Sequence, residues 1–318
     1  MKVLVTGAAG FIGSNLTDAL LERGHVVIGY DNFSTGRAKF LSAARQSLNF
    51  TIVQADLLDS ETLSAAMVGV DMVYHLAANA DVRFGTEHPR RDTEQNLIAT
   101  QNVLEAMRVA GVKRLAFSST GSVYGEATVF PTPENAPFPI QTSLYGASKL
   151  AAEGLISAYC EGFGFQATVF RFVSILGPRY THGHVFDFCK MLRADPHQLR
   201  ILGNGQQRKS YLHVSDCIAA LFAAFESQKE RFDVFNLGTD HYCQVNDSVG
   251  WICDRLNLSP RLVYSGGERG WVGDNPFIFL DCAKIRALGW VPNFSIREGV
   301  ENTVDYLCAN ADLLDHAP

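Results

Sequence analysis

Short apolar runs alternate with longer segments in which apolar residues recur every three or four positions. KVLVTG leads into FIGSNLTDALLERG, HVVIGYD into NFTIVQAD, and DMVYHLAA into TEQNLIATQNVLEAMRVAG before KRLAFSS. Brief runs rich in Val, Ile and Leu fit strands buried on both faces, and the longer periodic segments fit crossover helices. The pattern predicts an α/β chain built on a parallel sheet with helices on both sides. SLYGASKLAAEGLISAYCEGFG continues it as a helix and QATVFRFV as a further strand. Beyond LGPRY, proline, glycine and polar stretches separate the helical pieces HVFDFCKMLRADP, VSDCIAALFAAFES, QVNDSVGWICDRLNL and SIREGVENTVDYLCANADLL, with only short strands such as DVFNLG between them. The expected division is a sheet domain over 1–174, to which 212–238 return, and a smaller, mostly helical lobe over 175–211 and 239–318.

Composition narrows the partners. The chain has 318 residues, 47% of them hydrophobic, and a formal charge of −6 with Lys and Arg scattered. That balance argues against a nucleic-acid partner. No apolar run reaches the ~18 residues of a membrane span, and MKVLVTG passes directly into a strand, so no membrane association and a cytoplasmic location are expected. Seven cysteines (160, 189, 217, 243, 253, 282 and 308) include no C-x-x-C spacing and predict neither disulfides nor a zinc site. His182 and His184 in THGH lack a suitably spaced third ligand, so a polar loop is expected there and no metal.

Chemistry begins at TGAAGFIG, where Gly7, Gly10 and Gly13 stand between the first strand and the first helix. Glycines there let a phosphate approach free amide N–H groups at a helix N-terminus. The next strand ends in Asp31, whose carboxylate can accept hydrogen bonds from a ribose diol and would repel a 2′-phosphate. NAD is therefore favoured over NADP, although Arg37 nearby can accommodate the extra phosphate. Asp56, closing the third strand, suits an adenine edge or the N-cap of the next helix. His75 is expected to be structural. In SLYGASK, Tyr145 and Lys149 share a helix face one turn apart, where an ammonium would lower the tyrosine pKa; such pairs also occur on ordinary solvated faces.

Taken in order, TGAAGFIG, DNFSTG, the AD at 55 and 56, HLAA, FSSTGSVYG, YGASK, YLHVSD, GWVGD and LDCAK resemble the extended short-chain dehydrogenase/reductase family of nucleotide-sugar epimerases and dehydratases over essentially the whole chain. The resemblance implies a Rossmann-type doubly wound sheet holding NAD, an NDP-sugar between the lobes, UDP-sugars foremost, and a homodimer built from paired helices. It implies a cofactor shell of Gly7, Gly10, Phe11, Ile12, Gly13, Asp31, Asn32, Asp56, Leu57, Leu76, Ala77 and Ala78, joined by Asn96, Ser118, Tyr145, Lys149 and Phe172. Asn96 matches the asparagine of an N-x-x-G-T pattern in which Ala99 replaces the glycine. By the same resemblance Tyr145 removes a sugar hydroxyl proton, Lys149 holds the nicotinamide ribose and lowers the tyrosine pKa, and Thr120 bonds the same sugar oxygen.

Dehydratases of that family carry an Asp-Glu pair directly after the threonine, and decarboxylases commonly a glutamate at the second position; here Gly121 and Ser122 stand there. The expected reaction is inversion at C4 through a transient 4-keto sugar. A dehydratase and a non-catalytic NAD-binding regulatory protein are the alternatives. Substrate contacts are expected from Thr120, Ser122, Tyr145, Ser174, His184 and Val185, then Lys209, Tyr211, Arg269 and Asp274. Four of these depart from the family pattern: Ser174 replaces an asparagine, His184 stands where relatives often have an asparagine, Lys209 replaces an arginine with its bidentate fork, and Arg269 is shifted. Ile278 falls where some 4-epimerases carry a bulkier tyrosine, which is compatible with a large sugar.

Overall fold

The computed structural model describes residues 1–79, 84–138, 140–270, 275 and 277–315. In chain order its first half contains β1 (Lys2–Thr6), α1 (Phe11–Glu22), β2 (Val26–Asp31), β3 (Phe50–Gln54), α2 (Ser60–Ala66), β4 (Met72–His75), the short α3 (Phe84–Glu87) and α4 (Pro89–Asp92), α5 (Ala99–Ala110), β5 (Arg114–Thr120), α6 (Leu144–Phe163) and β6 (Gln166–Phe172). The second half adds β7 (Ser174–Leu176), α7 (His184–Ala194), β8 (Gln198–Ile201), β9 (Arg208–Lys209), β10 (Tyr211–His213), α8 (Val214–Ser227), β11 (Phe232–Leu237), β12 (Cys243–Gln244), α9 (Val245–Leu256), β13 (Arg261–Tyr264), β14 (Phe277–Ile278), α10 (Ala283–Arg286) and α11 (Ile296–Ala309).

Seven strands form one sheet in the order β11-β6-β5-β4-β1-β2-β3, with every neighbouring pair parallel. This is the doubly wound α/β arrangement the apolar runs predict. Alternation along each strand splits the buried side chains between two cores. Val3 and Val5, Met72 and Tyr74, and Phe170 and Phe172 pack on the α1 and α8 side. Leu4, Val73, Leu115, Phe117 and Val169 pack on the side of α2, α5 and α6. Both faces being covered, the strands read as unbroken hydrophobic runs. The α1 core continues without a break into buried residues of α7, α9 and α11.

Local signals set the helix ends. Ser143 caps α6, its hydroxyl accepting from the Gly146 amide at 3.0 Å, and Gly164 ends the helix with φ of +67°. Asp59, not Asp56, caps α2 by accepting from the Thr62 amide at 3.1 Å. The stretch expected as one helix from Thr93 opens instead with a π-helical turn, Thr93–Ile98, before α5 begins.

Candidate active site

A cleft of about 1250 Å³ runs from the glycine loop across the C-terminal ends of the central strands to α7 and β9. Its size exceeds that of an ordinary single-ligand pocket. At one end, Gly7 has φ of +69°, and a Cβ on it would lie 2.9 Å from the Ala77 backbone. A Cβ on Gly13 would stand 2.0 Å from the Gly7 carbonyl oxygen. The loop is thus packed on itself in a way only glycine permits. No side chain caps α1, so its first-turn amides at Phe11, Ile12 and Gly13, all lining the cleft, are open to an anion. Asp31 receives the Ala9 amide at 2.9 Å and the Phe33 amide at 2.7 Å, which fixes its carboxylate beside the loop with lone pairs left for a diol. Burial raises its pKa against the pull of these two bonds. Asn32, Leu57, Leu76, Ala77, Ala78 and Phe172 line the same region, as does Arg37. This cradle fits a dinucleotide.

At mid-cleft, Tyr145 stands in the first turn of α6 with its hydroxyl hydrogen-bonded to that of Thr120 at the end of β5. One turn on, Lys149 is buried, and its Nζ donates to the Ser118 carbonyl at 2.8 Å, over the Phe117 ring. The expectation that Lys149 depresses the tyrosine pKa is corrected in the cofactor-free chain. Burial pushes the Tyr145 phenol up to about 12, opposed by the Thr120 bond and reinforced by Asp92. Burial likewise pushes Lys149 down to about 7, opposed by Glu153. His75 is structural: it sits between the Thr6 and Thr100 hydroxyls at 2.7 and 2.9 Å, and burial pushes it down to about 3.

Ser122, Ser174, His184, Lys209 and Tyr211 line the far half of the cleft. The His184 ring is engaged on both sides, Nε2 with the Ser248 hydroxyl at 2.6 Å and Nδ1 with the Tyr211 hydroxyl at 3.1 Å. Burial pushes its pKa down to about 3, so it is a neutral strut for Tyr211. Lys209 Nζ donates to the Asn275 carbonyl at 2.6 Å.

Several expected contacts stand elsewhere. Val185 is wholly buried in the core, because it lies about 100° around α7 from His184. Asn96 is set behind the cleft wall, receiving the Asn79 amide at 2.8 Å and donating to the Ser148 hydroxyl at 2.9 Å. Ser118 and Lys149 also lie behind the wall, and Asp56 is turned to the Asn32 amide at 2.7 Å. Arg269 pairs with Glu126 at 2.5 Å. Asp274 lies outside the described residues. Lys190 and Arg200, which fall in no recognisable motif, also line the cleft and add cations to the one supplied by Lys209.

A family model described as the NAD dependent epimerase/dehydratase family matches residues 3–238. The chain belongs to that family. NAD is accordingly its cofactor, in agreement with the cradle around Gly7, Gly13 and Asp31. The UDP-glucose 4-epimerase of Mycolicibacterium smegmatis is 33% identical to this family member over 320 residues, 96% of this chain and 98% of that one. Among solved structures, a UDP-galactose 4-epimerase matches with a TM-score of 0.88 at 37% identity, covering 98% of this chain and 99% of the other. A UDP-glucuronic acid 4-epimerase from Bacillus cereus, in complex with UDP-glucuronic acid and NAD, matches with 0.89 at 29% identity, covering 98% and 100%. Dehydratases are also among the similar proteins.

Proposed function

We propose that this enzyme inverts C4 of a UDP-sugar, a hexose, N-acetylhexosamine or hexuronic acid, through a transient 4-keto sugar. The observation that carries this reading is the Thr120, Tyr145 and Lys149 cluster with no carboxylate at the two positions after Thr120. Position 121 is also closed to one: a Cβ on Gly121 would meet Ile278 Cγ2 at 2.9 Å and the Phe172 carbonyl oxygen at 3.3 Å. Elimination of water would need an acid and a base of its own there, which favours inversion over dehydration.

NAD, held by the glycine loop, the first turn of α1 and Asp31, supplies reversible hydride transfer at the sugar carbon. Tyr145 takes the proton of the C4 hydroxyl and returns it after the sugar has turned over. Thr120 holds the same oxygen. Since burial keeps the phenol protonated, its ionisation requires added positive charge beside it, and the Lys149 ammonium answers part of that need. Lys190, Arg200 and Lys209 at the far end of the cleft suit a diphosphate, and Tyr211, steadied by His184, suits the nucleotide. In this reading residues 1–174 with 212–238 carry the cofactor, and 175–211 with 239–318 carry the sugar nucleotide. Pairing of two copies through α6 is supported by the small residues Ala151, Gly154 and Ala158 exposed along it.

The test is incubation of the purified protein with UDP-, GDP-, CDP- and dTDP-sugars without added cofactor, followed by NMR and mass spectrometry. A product of unchanged mass inverted at C4 is expected. A product lighter by one water would replace inversion with dehydration, and the absence of turnover across the panel would overturn the catalytic reading.

A further inference from the structure

Three residues spaced four apart on one face of α6 meet three consecutive residues of β5. The Tyr145 hydroxyl bonds the Thr120 hydroxyl, Lys149 Nζ donates to the Ser118 carbonyl at 2.8 Å, and the Ser119 hydroxyl donates to the Glu153 carboxylate. Glu153 has no part in the chemistry described above, yet it is buried like Lys149. Arg171 on β6 grips its carboxylate with two bonds, Nη2 to Oε2 at 2.7 Å and Nε to Oε1 at 3.1 Å, with both side chains about 5% exposed. Arg171 is itself anchored through Nη1 to the Tyr124 hydroxyl at 2.7 Å and the Glu134 carbonyl at 3.0 Å.

We infer that Glu153 is a positioning residue for the reaction: fixed by Arg171 and Ser119, its carboxylate favours the ammonium form of Lys149 and sets the height of α6 against β5. A buried ion pair is a poor device for stability alone, because desolvation of both charges offsets their attraction. Here the pair stands one helical turn beyond a lysine buried without solvent to support its charge. Among the described residues, the carboxylate whose charge acts on Lys149 is Glu153. From β4 comes His75, neutral; from β5 come the Phe117 ring and the Ser118 carbonyl; from α6 come Tyr145, protonated, and Glu153. Asp92 on α4 acts on Tyr145, and Arg171 on β6 is bound to Glu153. A carboxylate held rigidly from β6 cannot drift toward solvent when Lys149 loses a proton, so the helix and the charge are set by the same contacts.

This inference rests on the epimerase reading only for its kinetic arm. In the direct arm, the cofactor-stripped protein carrying 13C-labelled lysine is titrated by NMR, with the Lys149 signal assigned by its loss in Lys149→Met. The wild-type midpoint is expected near 7. Glu153→Gln should lower it by at least about one pH unit, whereas Glu153→Asp, which keeps the charge, should hold it near the wild-type value. In sugar inversion, the alkaline limb of kcat should fall with the Gln variant and stay with the Asp variant, at unchanged KM. Should Glu153→Gln fail to fold, Glu153→Gln combined with Arg171→Met removes the guanidinium that the single variant leaves without its carboxylate and carries the same expectation in smaller size. A Lys149 midpoint unmoved by loss of the carboxylate would overturn the inference and reduce Glu153 to packing. A lowered midpoint in a protein that inverts no sugar would sustain the lysine coupling while the epimerase reading fails.

Discussion

Lys149→Met is expected to abolish turnover and yet make the cofactor-free protein more stable at neutral pH. Lys149 is 1% exposed and titrates near 7 in the fold, against an ordinary 10.5. At about 1.4 kcal/mol per pH unit, that gap corresponds to about 5 kcal/mol set against folding by the buried ammonium. Below pH 7 the lysine is protonated in both folded and unfolded chains, so the full penalty applies and does not vary with pH. Between 7 and 10.5 the unfolded chain holds a proton the folded chain lacks, and stability must rise with pH. Over pH 7 to 8.5 the rise from this group is about 1.5 kcal/mol. Methionine fills the same space without charge, at the loss of the Ser118 carbonyl's partner, which returns roughly 1 to 3 kcal/mol of the gain. The assay is urea unfolding of cofactor-stripped wild type and variant at several pH values in that window. Subtracting one from the other cancels the remaining titrating groups, among them the buried cysteines. A difference that stays flat from pH 7 to 8.5 would refute the claim that Lys149 loses its proton near neutrality in the folded chain.

Three further outcomes follow from the same geometry. Tyr145→Phe should lower kcat by about 10² to 10⁴ while the protein still purifies with bound NAD, as read by turnover and by nucleotide released on denaturation. Gly13→Ala drives a methyl group to 2.0 Å from the Gly7 carbonyl oxygen; it should cost about 1 to 3 kcal/mol and empty the protein of NAD, seen in a thermal melt and in the released nucleotide. Asp216 is buried and accepts from the Asn293 side chain and the Phe294 amide, each at 3.0 Å; Asp216→Ala should destabilise the fold by about 3 kcal/mol in urea titration while KM is preserved.

The sheet was legible because both its faces are covered: Val3, Leu4 and Val5 point alternately into two cores, and a strand apolar on both sides stands out from any helix pattern. The glycine loop, Asp31 and the Tyr145 and Lys149 pair were legible because their spacing alone carries geometry. What spacing does not carry is rotation and layer. Val185 follows a cleft residue in sequence and points into the core, and Asn96 sits one layer behind the wall through its bonds to Asn79 and Ser148. The tyrosine pKa differs from the expectation for a related reason: a neighbouring cation is visible in a helix repeat, whereas the desolvation that raises the phenol depends on what folds over it. Lys190 and Arg200 reach the same cleft from α7 and β8, and only the fold brings those segments together.

The place of β11 at the sheet edge has a consequence for how the chain is made. During synthesis β1 to β6 emerge in succession, but the partner of β6 lies beyond α7, β8 to β10 and α8. Until that strand leaves the ribosome, β6 presents a row of unpaired backbone groups and the α1 face of the sheet lacks α8. The nascent sheet is therefore unfinished and prone to association through that edge while later segments are already being translated. A truncation that stops after β6 should accumulate as aggregate, whereas one that runs through β11 has every strand of the large sheet and should stay dispersed longer in a cell-free translation reaction.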